Sequence, residues 1–232
     1  MAAFDFLGTT GRYSAKDVHR MNMRHSFIIE PFLTDLDGAK VLDLAAHDGR
    51  WSYALAAAGA RQVIGVEARP ELVAKFSDMP HDAPASKVEL VVADLFDALQ
   101  DYVREEQTFD VVAIYGVLYH VMDHFLLLRR VTALRPKLVI IDSEFITGNS
   151  PMVQMVRERT DNPLNAIEAT ANQEVTMVGI PSVGAMEAMA DVLGYRCFWL
   201  DWEAVSADQR AGLSDYFRNA RKRRRTCYLR PK

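Results

Sequence analysis

Three groups of residues in this chain have the types and spacing for chemistry. The first is Val41-Leu42-Asp43-Leu44-Ala45-Ala46-His47-Asp48-Gly49-Arg50-Trp51-Ser52, with Glu67 twenty-four residues after Asp43. A β-branched run ends there in a small-residue loop, and an Ala-rich segment then begins with Ser52 near its start. The next apolar run, Val63-Ile64-Gly65-Val66, closes on Glu67. An acid at that strand tip is placed to accept ribose hydroxyls. The second group is Tyr115-Gly116-Val117-Leu118-Tyr119-His120. Its imidazole, titrating near ~6.5, is suited to take a proton from a hydroxyl. The third is Asp142-Ser143-Glu144, whose alternation puts both carboxylates on one side of a strand. They can share a divalent cation such as magnesium, hydrogen-bond a polyhydroxylated substrate, or serve structure. All three roles stay open.

The turn lacks the three glycines that let backbone amides approach a pyrophosphate, and Asp48 beside Gly49 is expected to repel an anion. A cationic, phosphate-free adenosine such as S-adenosylmethionine suits it better. The segment resembles motif I of the class I S-adenosylmethionine-dependent methyltransferases, with Ala45 standing where those proteins usually carry the first glycine of Gly-x-Gly. The resemblance implies that Glu67 binds the ribose, with Ala68 beside it. It implies that Asp94 and Leu95 receive the adenine, that Asp43, Ala45 and Gly49 shape the loop, and that Tyr115 lies along the cofactor. The methionine carboxylate needs a cation, and Arg24 is the candidate with Arg50 as the alternative, because a guanidinium grips a carboxylate bidentately. Tyr13 can close over the same pocket.

The Gly-Val-Leu-Tyr-His string, the Asp-Gly-Arg-Trp-Ser turn and Ile180-Pro181-Ser182 together resemble the family that includes the tRNA wobble-uridine 5-oxyacetic acid methyltransferases and many small-molecule relatives. That likeness puts Gly116 under the reactive methyl and His120 near the sulfonium; His120 or Glu144 is expected as base, with Asp142 beside Glu144. Sugar O-methyltransferases bind magnesium in this region, but their Asp-rich motif is not reproduced here, and Tyr115 stands where they place an aspartate. His47, His81 and His124 have no such context and read as surface or loop residues.

These groups need a scaffold. Strands are expected at Lys40–Leu44, Gln62–Glu67, Val88–Ala93, Phe109–Ile114 and Leu138–Ile141, alternating with helices that include Phe96–Glu105 and Asp123–Leu134. Such alternation demands a parallel sheet covered on both faces. Residues 1–38 read as an N-terminal helical lid. Residues 146–181, rich in Gly and Pro, show no clear strand and read as a substrate cap over the strands' carboxyl ends. A helix from Ser182 to Leu193, a strand Tyr195–Asp201, a helix Ala207–Arg221 and a strand Arg225–Leu229 follow. The order is similar to the seven-stranded, Rossmann-like α/β methyltransferase sheet with an antiparallel final strand, in one domain spanning 1–232.

At 232 residues, half of them hydrophobic, the chain can bury a full core, and its formal charge of −4 offers no general attraction to nucleic acid or an anionic membrane. The run Arg221-Lys222-Arg223-Arg224-Arg225 is the local exception: a solvated helix end, or a contact for RNA or an anionic substrate. Cys197 and Cys227 lack metal or disulfide spacing and read as buried free thiols. No signal peptide or membrane span is legible, so a cytoplasmic protein is expected, and the Ala- and Arg-rich composition fits a high-GC bacterium. The expected activity is S-adenosylmethionine-dependent methylation of a hydroxyl on a small polar acceptor, such as a saccharide. Nucleic acid and membrane are disfavoured as partners, and a homodimer stays open. The rivals are a tRNA-modifying enzyme and a non-catalytic adenosine-binding protein.

Overall fold

The computed structural model describes residues 3–161 and 172–232. Its seven-stranded sheet contains β1 (Lys40–Leu44), β2 (Gln62–Glu67), β3 (Val88–Val92), β4 (Val111–Tyr115), β5 (Leu138–Ile146), β8 (Tyr195–Trp199) and β9 (Lys222–Pro231), in the order β3-β2-β1-β4-β5-β9-β8. The first five pair in parallel, and β9 runs antiparallel to both neighbours. The strand order reverses beside β1, between β1 and β4, and open α/β sheets bind ligands outside the carboxyl ends of the strands at such a point.

Alternation along the strands builds two cores. Val41, Ala113 and Ile140 point to one face with Phe4, Leu7, Ile28, Trp51, Leu55 and Tyr216. Leu42, Leu44, Val112, Ile114 and Ile141 point to the other with Leu99, Leu127, Leu128 and Met186. The helices that cover them are α1 (Ala15–Ile28), α2 (Leu33–Leu36), α3 (Arg50–Ala57), α4 (Pro70–Val73), α5 (Leu95–Arg104), α6 (His124–Ala133), α7 (Val183–Val192) and α8 (Ser214–Phe217). Ser14 and Asp17 form a reciprocal capping box at the start of α1. The segment expected as a lid is anchored: Phe4, Leu7, Ile28 and Ile29 are fully buried in the first core.

Three expectations are corrected. The cap contains strands, because β6 (Val153–Arg159) and β7 (Val175–Pro181) pair antiparallel into a separate two-stranded arm; residues 162–171 of the expected cap lie outside the described residues. The helix expected at Ala207–Arg221 reduces to one 3-10 turn, Ala207–Gln209, and the four residues of α8. Gly212 takes a left-handed φ of 77°, and Tyr216 stacks on Trp202 at 3.8 Å, so local packing overrides helix continuation. The basic run is strand rather than helix end: Lys222 to Arg225 belong to β9, opposite Ile146 to Ser143 on β5.

Candidate active site

The loop after β1 turns by left-handed backbone. Ala45 has φ 59°, His47 φ 58° and Gly49 φ 79°. A Cβ on Gly49 would lie 2.4 Å from the Phe76 ring, so glycine is required there both sterically and conformationally. Ala45 adopts the left-handed turn despite its Cβ, at a cost of about 1–2 kcal/mol. The substitution of the expected glycine therefore preserves the turn and shifts the expense to strain.

Glu67, 3% exposed, lies under this loop. One carboxylate oxygen accepts from the His47 amide at 3.0 Å; the other accepts from the Arg69 amide at 3.2 Å and Arg69 Nε at 2.6 Å. Asp43 accepts from the Ser52 hydroxyl at 2.7 Å, which ties the end of β1 to the first turn of α3. Burial, with the Glu67 charge nearby, raises its carboxyl to about 7, against the lowering effect of Ser52. Asp48 is buried and bonded by Arg50 Nε at 2.7 Å and by the Tyr13 hydroxyl. Its burial is overcome by His47, Arg50 and Tyr13, and its carboxyl is held far below the usual range. The expectation that Asp48 repels anions from the turn fails, because those partners neutralise it.

Two cavities open along the carboxyl ends of the strands and share His120. The inner one, about 200 Å³, is lined by Arg24, Ala45, His47, Arg50, Trp51, Arg69, Tyr115, Gly116 and Tyr119 among others. Three arginines and no carboxylate face it. The outer one, about 720 Å³, is lined by Ala68, Asp94, Leu95, Phe96, Val121, Met122, Asp123 and the arm residues Thr176 and Met177 among others. Asp94 also caps α5, accepting from the amides of Phe96 and Asp97. Of the expected cofactor residues, Arg24, Ala45 and Tyr115 meet at the inner cavity and Ala68, Asp94 and Leu95 at the outer. Glu67 and Gly49 are not among the residues lining either cavity, and Tyr13 is committed to Asp48.

His120 ends a 3-10 turn after β4, and its Nδ1 lies 3.4 Å from Glu158 on β6. Burial lowers its pKa against the pull of Glu158. At neutral pH the ring is thus neutral, and with Nδ1–H directed at Glu158, Nε2 is left as the acceptor. His124, expected at the surface or in a loop, is buried at the start of α6, with Nε2 2.9 Å from the Leu118 carbonyl and 3.1 Å from that of Gly179. It ties the arm to the loop that carries His120.

Asp142 and Glu144 do share one side of β5, but neither is placed for a cation. Asp142, fully buried, accepts from Arg224 Nε at 2.5 Å, Arg24 Nη2 at 2.9 Å, Tyr216 at 2.6 Å and Thr226 at 2.8 Å. Burial would raise its carboxyl, yet the two guanidiniums and two hydroxyls hold it far below the usual range. Glu144 is paired with Arg218 and Lys222, at 2.5 Å from Lys222 Nζ, and its carboxyl is also lowered. Among the described residues, no group of three or more His, Cys, Asp or Glu could hold a metal. The shared-cation expectation and the expectation of Asp142 as base are corrected on this geometry: four donors occupy the Asp142 carboxylate, while Glu144 is held in ion pairs with Arg218 and Lys222. Arg24, expected to grip a carboxylate, gives Nη2 to Asp142 and Nε to Tyr216, while still lining the inner cavity.

Sequence reasoning missed Arg224, Arg69, Glu158 and the role of His124. Arg224 was hidden in a run of five cations; 82 residues separate it from Asp142. The strand alternation of β9, once placed, singles it out.

Residues 41–137 match the methyltransferase domain family. The N-terminal domain of EvdMO1, solved in the presence of SAH and D-fucose, superposes with a TM-score of 0.64 at 21% identity, covering 87% of this chain and 80% of that one. An S-adenosylmethionine-dependent methyltransferase from Mesorhizobium loti superposes with a TM-score of 0.60 at 15% identity, covering 86% and 96%. The solved structures share the α/β fold of this chain, and the methyltransferase domain match covers residues 41–137 of its 232. Among relatives by sequence, the tRNA U34 carboxymethyltransferase of Idiomarina loihiensis is 26% identical over 170 residues, 72% of this chain and 49% of that protein. That of Pseudomonas syringae pv. tomato is 35% identical over 104 residues, 44% of this chain and 31% of that protein. The chain thus spans half or less of the length of these relatives. Among the described residues, no helix is long and apolar enough to cross a membrane.

Proposed function

We propose that the protein transfers the methyl group of S-adenosylmethionine to a hydroxyl of a small polar acceptor, a sugar or similar metabolite. The observation that carries the reading is the divided cleft at the strand-order switch, with Glu67 bonded to His47 and Arg69 of its lining and His120 at its junction. The ribose hydroxyls bond to Glu67, the adenine enters the outer cavity beside Asp94 and Leu95, and the methionine carboxylate meets Arg24 or Arg50. S-adenosylmethionine supplies an activated methyl and a neutral leaving group. The chain supplies alignment, and His120 Nε2 accepts the hydroxyl proton as the acceptor oxygen takes the methyl. The imidazolium so formed is stabilised by Glu158.

A second reading, modification of tRNA, draws on the names of the sequence relatives. Against it, the basic run is largely engaged within the protein: Lys222 pairs with Glu144, Arg223 with Glu203, Arg224 with Asp142, and Arg225 stacks on Trp199. The non-catalytic reading loses its main support because Ala45 keeps the loop's left-handed turn.

Calorimetry with S-adenosylhomocysteine tests the cofactor half. Glu67→Ala should weaken binding by about 1.5–3 kcal/mol, the scale for hydrogen bonds to a charged group. An unchanged dissociation constant removes Glu67 from the site. Methyl release screened over polar metabolites and over unmodified tRNA tests the acceptor, and turnover on tRNA alone would replace the first reading with the second. In either assay His120→Ala should cut turnover about a hundredfold with cofactor affinity kept.

A further inference from the structure

We propose that Arg69 is an intramolecular occupant of the ribose site and that its departure from Glu67 sets the affinity for the cofactor. This rests on the reading of Glu67 as the ribose acceptor. Glu67 is 3% exposed, and a carboxylate so buried needs compensation. Two backbone amides, those of His47 and Arg69, supply part of it and are fixed by the loop. The remaining strong donor is the Arg69 side chain, two residues further along, whose Nε lies 2.6 Å from Oε1. Arg69 also lines the inner cavity, so the residue that pairs with Glu67 borders the space a ligand must enter.

A ribose diol and the Arg69 side chain compete for the same carboxylate lone pairs. The backbone amides can stay when the ligand arrives, because a carboxylate has about four acceptor sites. The guanidinium cannot keep its short bond while two hydroxyls approach from the cavity side. Each binding event therefore exchanges a charge-assisted bond inside the protein for hydrogen bonds to ligand, and only the difference shows as affinity. Arg69 thereby keeps Glu67 paired in the free protein and weakens the cofactor in proportion.

The test is calorimetric titration of S-adenosylhomocysteine into the full chain and into Arg69→Met, Arg69→Lys, and Arg69→Met combined with Glu67→Gln. Arg69→Met should bind roughly tenfold more tightly than the unaltered protein, the scale of one hydrogen bond to a charged group. Arg69→Lys, which still pairs but lacks Nε, should fall between them, and Glu67→Gln should abolish the gain. If the ligand binds the unaltered protein and Arg69→Met binds equally or more weakly, the occupant proposal is overturned while the cofactor reading stands. If no variant and no unaltered protein binds the ligand, both are overturned. Should Arg69→Met fail to fold, Arg69→Lys against the unaltered protein decides the sign alone.

Discussion

Two sets of carboxylates stand at one edge of one sheet and do different work. Asp43, Asp48 and Glu67 surround the turn after β1, while Asp142 and Glu144 extend along β5. Around the first set, backbone amides, the Ser52 hydroxyl and arginines near in sequence provide most of the donors, with the Tyr13 hydroxyl reaching Asp48 from before α1. Around the second, guanidiniums and hydroxyls arrive from α1, α8 and β9. The first arrangement leaves a cavity beside its acids and one donor, Arg69, that can leave. The second uses up its central acid to bind four elements together. Residue type is alike in the two sets; what separates the turn from the keystone is the origin of the donors.

The sharpest break of this contrast is Asp142→Ala. It leaves Arg24 and Arg224 buried with no carboxylate between them, and should cost about 3–5 kcal/mol, read by denaturant unfolding. A loss below about 1 kcal/mol would show that the cluster is as loosely held as a surface pair.

Asp43 supplies the next effect, of opposite electrostatic character. Its folded-state value of about 7 lies above its unfolded value, so the folded protein binds the extra proton between pH ~4 and ~7. Its contribution to stability is therefore full below the unfolded value and is lost as pH rises through about 7. Asp43→Asn should flatten that part of the stability profile, whereas a Glu144→Gln variant should retain it. An unchanged slope in Asp43→Asn would move the titration to another group.

Smaller effects sharpen the contrast. Ala45→Gly should stabilise by about 1 kcal/mol by relieving the left-handed strain, with cofactor affinity kept. A destabilisation would mean that the alanine side chain packs more favourably than the turn costs. Glu144→Gln, whose partners Arg218 and Lys222 are 36% and 40% exposed, should change unfolding by at most about 1 kcal/mol. A larger cost would join it to the buried cluster around Asp142.

The left half of the sheet was legible because its signals are local. The apolar runs of β1, β2 and β4, the Gly49 turn and the acid Glu67 lie within short stretches of chain. The arm of β6 and β7 was missed because much of it faces solvent: Met155 and Met177, at 60% and 40% exposed, give no core signal. The false helix at 207–221 had helical residues but no view of Tyr216 reaching Asp142. Likewise, the residues that line the two cavities were in part legible, and the ion pairs around them were not. Type and spacing reveal Glu67, but only the fold reveals that Arg69 reaches it and that β9 brings Arg224 to Asp142.

The pairing of β5 with β9 has a further consequence for how the sheet finds its alignment. Four successive cations, Lys222 to Arg225, open β9, and by charge alone several offsets against β5 look equivalent. Slipping a strand by one residue turns its faces over, so Arg223 or Arg225 would point where Arg224 now lies and Thr226 would leave Asp142. A slip of two restores the faces but brings Lys222 or Thr226 to the place of Arg224, where neither can offer the same guanidinium Nε. Asp142 thus acts as a detent: a single buried charge that selects one offset from a nearly repetitive strand.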